Sequence, residues 1–388
     1  MHTLSRTFTS LVAVGALTVG LAAPVAASPD RPAVRSGGRV DTTTPTFSHP
    51  TTITNPLFPI TTTKQMVSLG AEGAVALRQE TTLLDETRVI RVNGQDVKTI
   101  VSEFVAYGDG EIIEVAIDYF AQADDGSVWY FGEDVTNYDQ GQVENHNGTW
   151  LAGRDGPPGM IMPAHPKVGD VYRPENIPGL VFEETTVKAT DLTLDGPTGP
   201  VTHAIRVEEH PANAAVETKT YAPGYGEFEA TVPASDEYVK TAIASPTDSV
   251  DSREPRALDA LSDAARGLIR RAPSKSWSRL RSLVAAAKGS WDELAATELP
   301  PRLADQMSGA IDGLDAAVAQ RNRSDLAQAA IDVQFAALDL ELQYREVDEV
   351  DRDRIKNFGK QLLVHQSTGN VAGAASDAVI IDAITRRL

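Results

Sequence analysis

Two carboxylates and a run of aromatic rings carry the densest chemistry in this chain. Residues 118–133 read DYFAQADDGSVWYFGE. Paired acids about 5–10 Å apart can hydrolyse glycosidic bonds, one giving a proton while the other attacks or activates water. Asp118 and Glu133 are the candidate pair for such a hydrolase, acting on an envelope polymer. Tyr119, Phe120, Trp129, Tyr130 and Phe131 lie between them and flank an Asp-Asp-Gly turn. Each ring can bury about 150–250 Å². Strand alternation puts Trp129 and Phe131 on one face and Tyr130 on the other. The rings are either core with a cross-strand ladder or an aromatic floor for an apolar or sugar ligand. Asp124, Asp125, Glu133, Asp134 and Asp139 could offer oxygens to Ca²⁺, but no D-x-D-x-D-G loop ending in Glu is present. They read as a solvated acidic rim.

A second concentration is 156–172, GPPGMIMPAHPKVGDVY. Its prolines and its two methionines, Met160 and Met162, make a rigid apolar loop, and Met adapts to irregular cavities. Such a loop either plugs the mouth of a curled sheet or forms the rim of a pocket. Nucleophile and phosphate machinery is absent: there is no G-x-S-x-G, H-E-x-x-H, P-loop or G-x-G-x-x-G after a strand. None of the seven His is paired at metal-ligand spacing within a helix. Asp312, Asp315, Asp332, Asp339 and His365 outline a bundle metal site, yet the Glu-x-x-His pairs of such sites are missing. These acids are expected to meet Arg321, Arg345 or Arg354 instead, so no metal is assigned. No cofactor is implied.

Several phrases resemble an uncharacterised family of exported bacterial proteins of actinobacterial type. They are ITNPLFPIT (53–61), DYFAQADDGSVWYFGE (118–133), GTWLAG (148–153), GMIMPAHPKVGDVYRPE (159–175) and TKTYAPGYGEFEA (218–230). The shared signatures are DGxVWYFGE and GxIMPAxPxVGDxY. The likeness spans about 47–232 and implies an exported β domain, a curled sheet, with no activity attached. This chain departs from the pattern at Ala123 and His165. The stretch 329–351 resembles helical tails on other exported proteins of this type.

Export is also written at the start. Arg6 precedes the apolar run LVAVGALTVGLAA (11–23), too short to span a bilayer comfortably, and Ala-Ala-Ser follows at 26–28. Residues 1–27 read as a signal peptide cleaved near Ala27, and 28–46 as a flexible leader. No later stretch approaches 18 apolar residues, so a soluble extracellular or envelope protein is expected. The 388 residues hold no Cys, which excludes disulfides, thiol catalysis and Cys-ligated metals. Acids outnumber bases 54 to 35, a net charge of −19 that argues against nucleic acid as a partner.

The chain divides at 245–255 (SPTDSVDSREP), which lacks apolar periodicity and reads as a linker. Up to Ser252 the net charge is −18; from Arg253 it is −1. The front part, 47–244, alternates apolar and polar residues between turn pairs such as Asn93-Gly94, Asp109-Gly110 and Asp125-Gly126. Strands are predicted at 64–69, 75–84, 87–93, 96–106, 111–120, 127–133, 169–174, 180–190, 201–209, 215–222 and 225–232. The rear part, 256–388, has helical periodicity. Helices are predicted at 256–271, 276–288 with a restart at Ser290, 302–321, 325–345 capped by Ser324, 349–368 and 371–387. The stretch 266–288 holds Arg266, Arg270, Arg271, Lys275, Arg279, Arg281 and Lys288 and no acid. It suits docking on the acidic β domain or on an anionic envelope surface.

The fold expected is α+β: a curled antiparallel β domain, half-barrel or barrel-like with a sandwich as runner-up, then a helical bundle. The β domain is expected to enclose rings and thioethers and to keep its acids outside. The function expected is non-catalytic binding of an apolar molecule or partner in the envelope, through Tyr119, Trp129, Phe131, Met160, Met162 and Tyr172. The hydrolase is the rival, and a purely structural or interaction protein is the third reading.

Overall fold

The computed structural model describes residues 38–388 apart from 213, 274 and 275. The signal segment 1–27, much of the leader and Lys275 therefore lie outside the described residues. The chain opens as successive hairpins: β1 (Gln65–Glu72), β2 (Val75–Val92), β3 (Gln95–Gly108), β4 (Glu111–Gln122) and β5 (Val128–Asp139). Asn93-Gly94 and Asp109-Gly110 take positive φ at both residues, 52° and 82°, then 50° and 81°. That backbone twists with the flanking strands and closes tight hairpins. β2 is one strand of 18 residues, not two. Its register with β3 shifts between Leu83 and Thr87, so a bulge bends the strand without ending it.

Three short strands, β6 (Gln142–Asn145), β7 (Trp150–Leu151) and β8 (Gly159–Met162), all pair with β5. A second meander follows: β9 (Val171–Ile177), β10 (Val181–Gly196), β11 (Gly199–Pro211), β12 (Glu217–Ala222), β13 (Gly226–Val232) and β14 (Glu237–Ser245). β14 returns to pair with β1. The result is one antiparallel sheet of 14 strands, ordered β6-β5-β4-β3-β2-β1-β14-β13-β12-β11-β10-β9. It is not closed by hydrogen bonds, but it curls until its ends meet. At Gly159 of β8 a Cβ would lie 1.8 Å from the Pro174 carbonyl oxygen of β9. Trp150 of β7 donates from Nε1 to Glu175 of β9 at 3.0 Å. A single curled sheet leaves no place for the sandwich. The described part of the leader lies along it: Val40 donates its N–H to the Val171 carbonyl at 3.0 Å, and the Thr46 hydroxyl donates to Asp124 at 2.7 Å.

Among the described residues six helices follow: α1 (Arg256–Arg271), α2 (Trp277–Ala295), α3 (Pro301–Gln320), α4 (Arg323–Glu341), α5 (Val347–Thr368) and α6 (Val371–Arg386). α2 runs through Ser290 without restarting. Leu280, Val284, Ala287, Trp291 and Leu294 keep one buried stripe going across it. Asn322, not Ser324, caps α4, its side chain accepting from the N–H groups of Ser324 and Asp325.

The bundle packs on the outer face of the sheet. Val67 and Ile243 join the bundle's own core of Leu258, Leu261 and Leu338. Val105, Tyr107, Ile112 and Val115 meet Phe358, Ile380 and Ile384. Charges are buried in this seam. Arg387 pairs with Glu103 at 2.6 Å and Glu80 at 2.8 Å. Arg354 pairs with Asp339 at 2.7 Å and Asp351 at 2.8 Å, and donates to Gln65 at 2.6 Å. Arg78 of β2 reaches Asp339 at 2.6 Å. The expected partnership of Asp339 with Arg354 is therefore present, and a strand arginine joins it.

Candidate ligand cavity

Cross-strand register decides which side chains enter the hollow of the sheet. Ser102 stands opposite Asp118, and Asp118 opposite Glu133, so β3, β4 and β5 send one row inward. Glu114 lies on the same face of β4, four residues from Asp118. From the other side of the curl, Glu209 faces Glu217, and Lys219 faces Ala230. Between the two rows is a cavity of about 830 Å³, its open mouth included. Its rings are Phe58, Phe104, Phe120, Tyr221, Tyr225 and Phe228. Its polar lining includes Ser102, Asp118 and Glu227. Phe120 sits between neighbours: it stacks on Tyr130 at 4.9 Å and takes the edge of Phe58 at 4.8 Å.

The electrostatics of the two rows differ. Lys219 is the counter-charge of one: Glu209 lies at 2.7 Å, Glu217 at 3.4 Å and Glu227 at 3.5 Å. Burial would lower the ammonium's pKa, but these glutamates outweigh it and raise it well above the ordinary value. The other row, Glu114, Asp118, Glu133 and Glu175, has no ion pair with Lys or Arg among the described residues. Burial pushes Asp118 up to about 7, although Tyr130 donates its hydroxyl to it at 2.8 Å. Glu114 is pushed up to about 8 by burial and by Asp118. Burial also lifts Glu175 to about 8, and Glu133 well above the usual carboxylate range with Glu175 adding to it. Neither carboxyl oxygen of Glu114 has a hydrogen-bond partner, while Tyr130 and Glu175 lie beside Glu133.

The interior is thus not the acid-free core expected from the sequence. The bundle covers the outer face of β3 and β4, so both faces of these strands are buried. Acids on either face must then go inside. A trace was present in the sequence: VSEFVA and EIIEVAIDYF carry apolar residues on both faces, the pattern of doubly covered strands. Residues 101–150 also hold 11 acids and no Lys or Arg.

The six residues proposed from the sequence share one buried cluster with each other. The cavity walls are built by other residues. Tyr119 donates to Asp134 at 2.6 Å beneath the Arg88 guanidinium, 4.4 Å from its ring. Trp129 donates to Ser127 at 2.9 Å, and Phe131 meets Phe47 edge-on at 5.4 Å. Met160 and Met162 pair β8 with β5. Tyr172 faces the interior opposite Thr185, its hydroxyl without a hydrogen-bond partner. Asp118 and Glu133 are brought directly together. Ser102, Tyr221 and Glu227 were not foreseen.

In the bundle, Arg266 pairs with Asp263 at 2.8 Å and Lys288 with Asp315. Arg271 donates to the Gly267 carbonyl, while Arg270, Arg279 and Arg281 are exposed. The pKa of Lys360 on α5 is lowered by burial and by Arg266 and Arg270, so cations of two helices converge. His365 meets Asp377 at 2.7 Å, and among the described residues no group of three His or acids is arranged to hold a metal. No protein-family model, curated protein or solved structure matches this chain.

Proposed function

We propose that this chain is an exported, non-catalytic binding protein whose curled sheet holds a small molecule with an apolar body. The observation that carries the reading is the cavity itself: six aromatic residues around a few convergent polar groups, the composition of a ligand site. Asp118 and Glu133 keep the hydrolase reading in view, but Glu133 is fully buried and outside the cavity lining. Only one acid of that pair reaches the cavity, which supports binding over catalysis by the pair. Export rests on residues 1–27 and on the resemblance to exported proteins. The exposed Arg270, Arg279 and Arg281 would suit an anionic envelope surface; salt-sensitive binding to anionic vesicles checks this.

The test of the cavity uses N-phenyl-1-naphthylamine, an uncharged dye that brightens in apolar sites. The wild-type protein should bind it saturably and stoichiometrically. Ala230→Trp, on the cavity wall, should weaken binding at least about tenfold with the circular dichroism unchanged. Absence of saturable binding to the wild type would overturn the reading.

A further inference from the structure

We infer that the cavity selects an organic cation, an alkyl or aryl ammonium whose nitrogen rests against Asp118. The inference rests on the binding reading and adds the charge of the ligand. The lining holds Asp118, Glu227 and Glu229 and no Lys, Arg or His. Two of these acids are already answered from behind the wall: Lys219 lies 3.5 Å from Glu227, and Lys240 lies 3.8 Å from Glu229. Asp118 has no such partner. Around it stand Ser102 on β3, Glu114 on its own strand, and Tyr130 and Glu133 on β5, all hydroxyls or acids. The Ser102 hydroxyl is fully buried at the cavity wall beside Asp118, whose ionised form it favours.

An anion entering here would meet a row of acids in a low-dielectric enclosure. A neutral ligand would leave Asp118 without a counter-charge. A cation supplies it, and the aromatic lining adds the attraction of rings for positive charge.

Three probes of equal chain length separate charge from greasiness: octyltrimethylammonium, 1-octanol and octanoate, titrated calorimetrically into the full chain. The ammonium should bind about tenfold tighter than octanol, with octanoate weakest. In Asp118→Asn the ammonium and octanol should bind alike, with octanol unchanged from the wild type. Asparagine keeps an oxygen for the Tyr130 hydroxyl, so the fold has reason to survive. Should the variant fail to bind octanol, the wild type decides alone. Titrations at pH 6 in two buffers of different ionisation enthalpy should show a proton released with the ammonium and none with octanol. Equal binding of ammonium and octanol to the wild type, or tightest binding of octanoate, overturns the charge inference while leaving the cavity reading intact. Failure of all three probes to bind overturns both.

Discussion

Asp118, Glu114 and Glu175 hold protons that an unfolded chain would release. Their pKa values stand at about 7, 8 and 8, against ordinary values near 4. From pH about 4 to 8 the folded chain therefore binds more protons than the unfolded one, and stability falls as pH rises through that window. Glu80 and Asp339 act in the opposite sense. Burial opposes their ionisation, but Arg78, with Arg387 and Arg354, holds both below the ordinary range. Their contribution is present above pH about 4.5 and is lost as the acid limb is descended. The melting temperature should peak near pH 5 and decline by several degrees towards pH 8. A thermal scan from pH 4 to 9 checks this, and a melting temperature rising from pH 5 to 8 would contradict it. Asp118→Asn should flatten the alkaline side of the curve, since its amide has no proton to lose.

Strand β8 carries the near-closure of the sheet, and it does so through one glycine. Gly159 lets the β9 backbone approach where a Cβ would overlap the Pro174 oxygen. Gly159→Ala should cost about 1–3 kcal/mol by forcing the two edges apart. Gly289 in the middle of α2 is the contrast, with open space where a Cβ would go. Gly289→Ala should stabilise by about 0.5–1 kcal/mol. Urea denaturation of both variants reads the two signs. The elements that the sequence made legible are those punctuated locally. Pro255 and Pro273 bracket α1, which matches its expected span, and Asn93-Gly94 and Asp109-Gly110 mark their hairpins. β8 was hidden because its methionines sit between prolines and look like a loop, and only pairing with β5 makes it a strand. β14 was hidden because EYVKTAIAS follows no turn glycine. The cavity acids were hidden for another reason: alternation tells which residues share a face, not which faces another element will cover.

The division at 245–255 was visible as a change of composition, but the surface joining the halves was not. Arg354 was expected to meet an acid within the bundle and nothing marked Arg387, so neither pointed to the sheet. In the structure the side chains of both are about 1% exposed, and together with Arg78 they answer Glu80, Glu103, Asp339 and Asp351. A buried network of this kind gains little over a well-packed apolar seam, because each charge has lost its water. Its consequence appears when one member is removed. Arg387→Met would leave Glu103 with only the more distant Arg386 at 3.6 Å and would take one arginine from Glu80. The expected loss is about 3–5 kcal/mol. Glu103 already has a raised pKa, driven by burial against the pull of Arg387, so it would take up a proton in the variant. Adding Glu103→Gln to Arg387→Met should then recover part of the loss, which a merely packing role for Arg387 would not allow. Because the network spans sheet and bundle, both halves should unfold in one transition in the wild type. Far-ultraviolet circular dichroism, dominated by the helices, and tryptophan fluorescence, which reports Trp129 and Trp150 in the sheet as well as Trp277 and Trp291 in α2, should therefore trace the same urea curve. Separate curves in the wild type, or a loss below about 1 kcal/mol in Arg387→Met, would mean that the seam does not couple the halves.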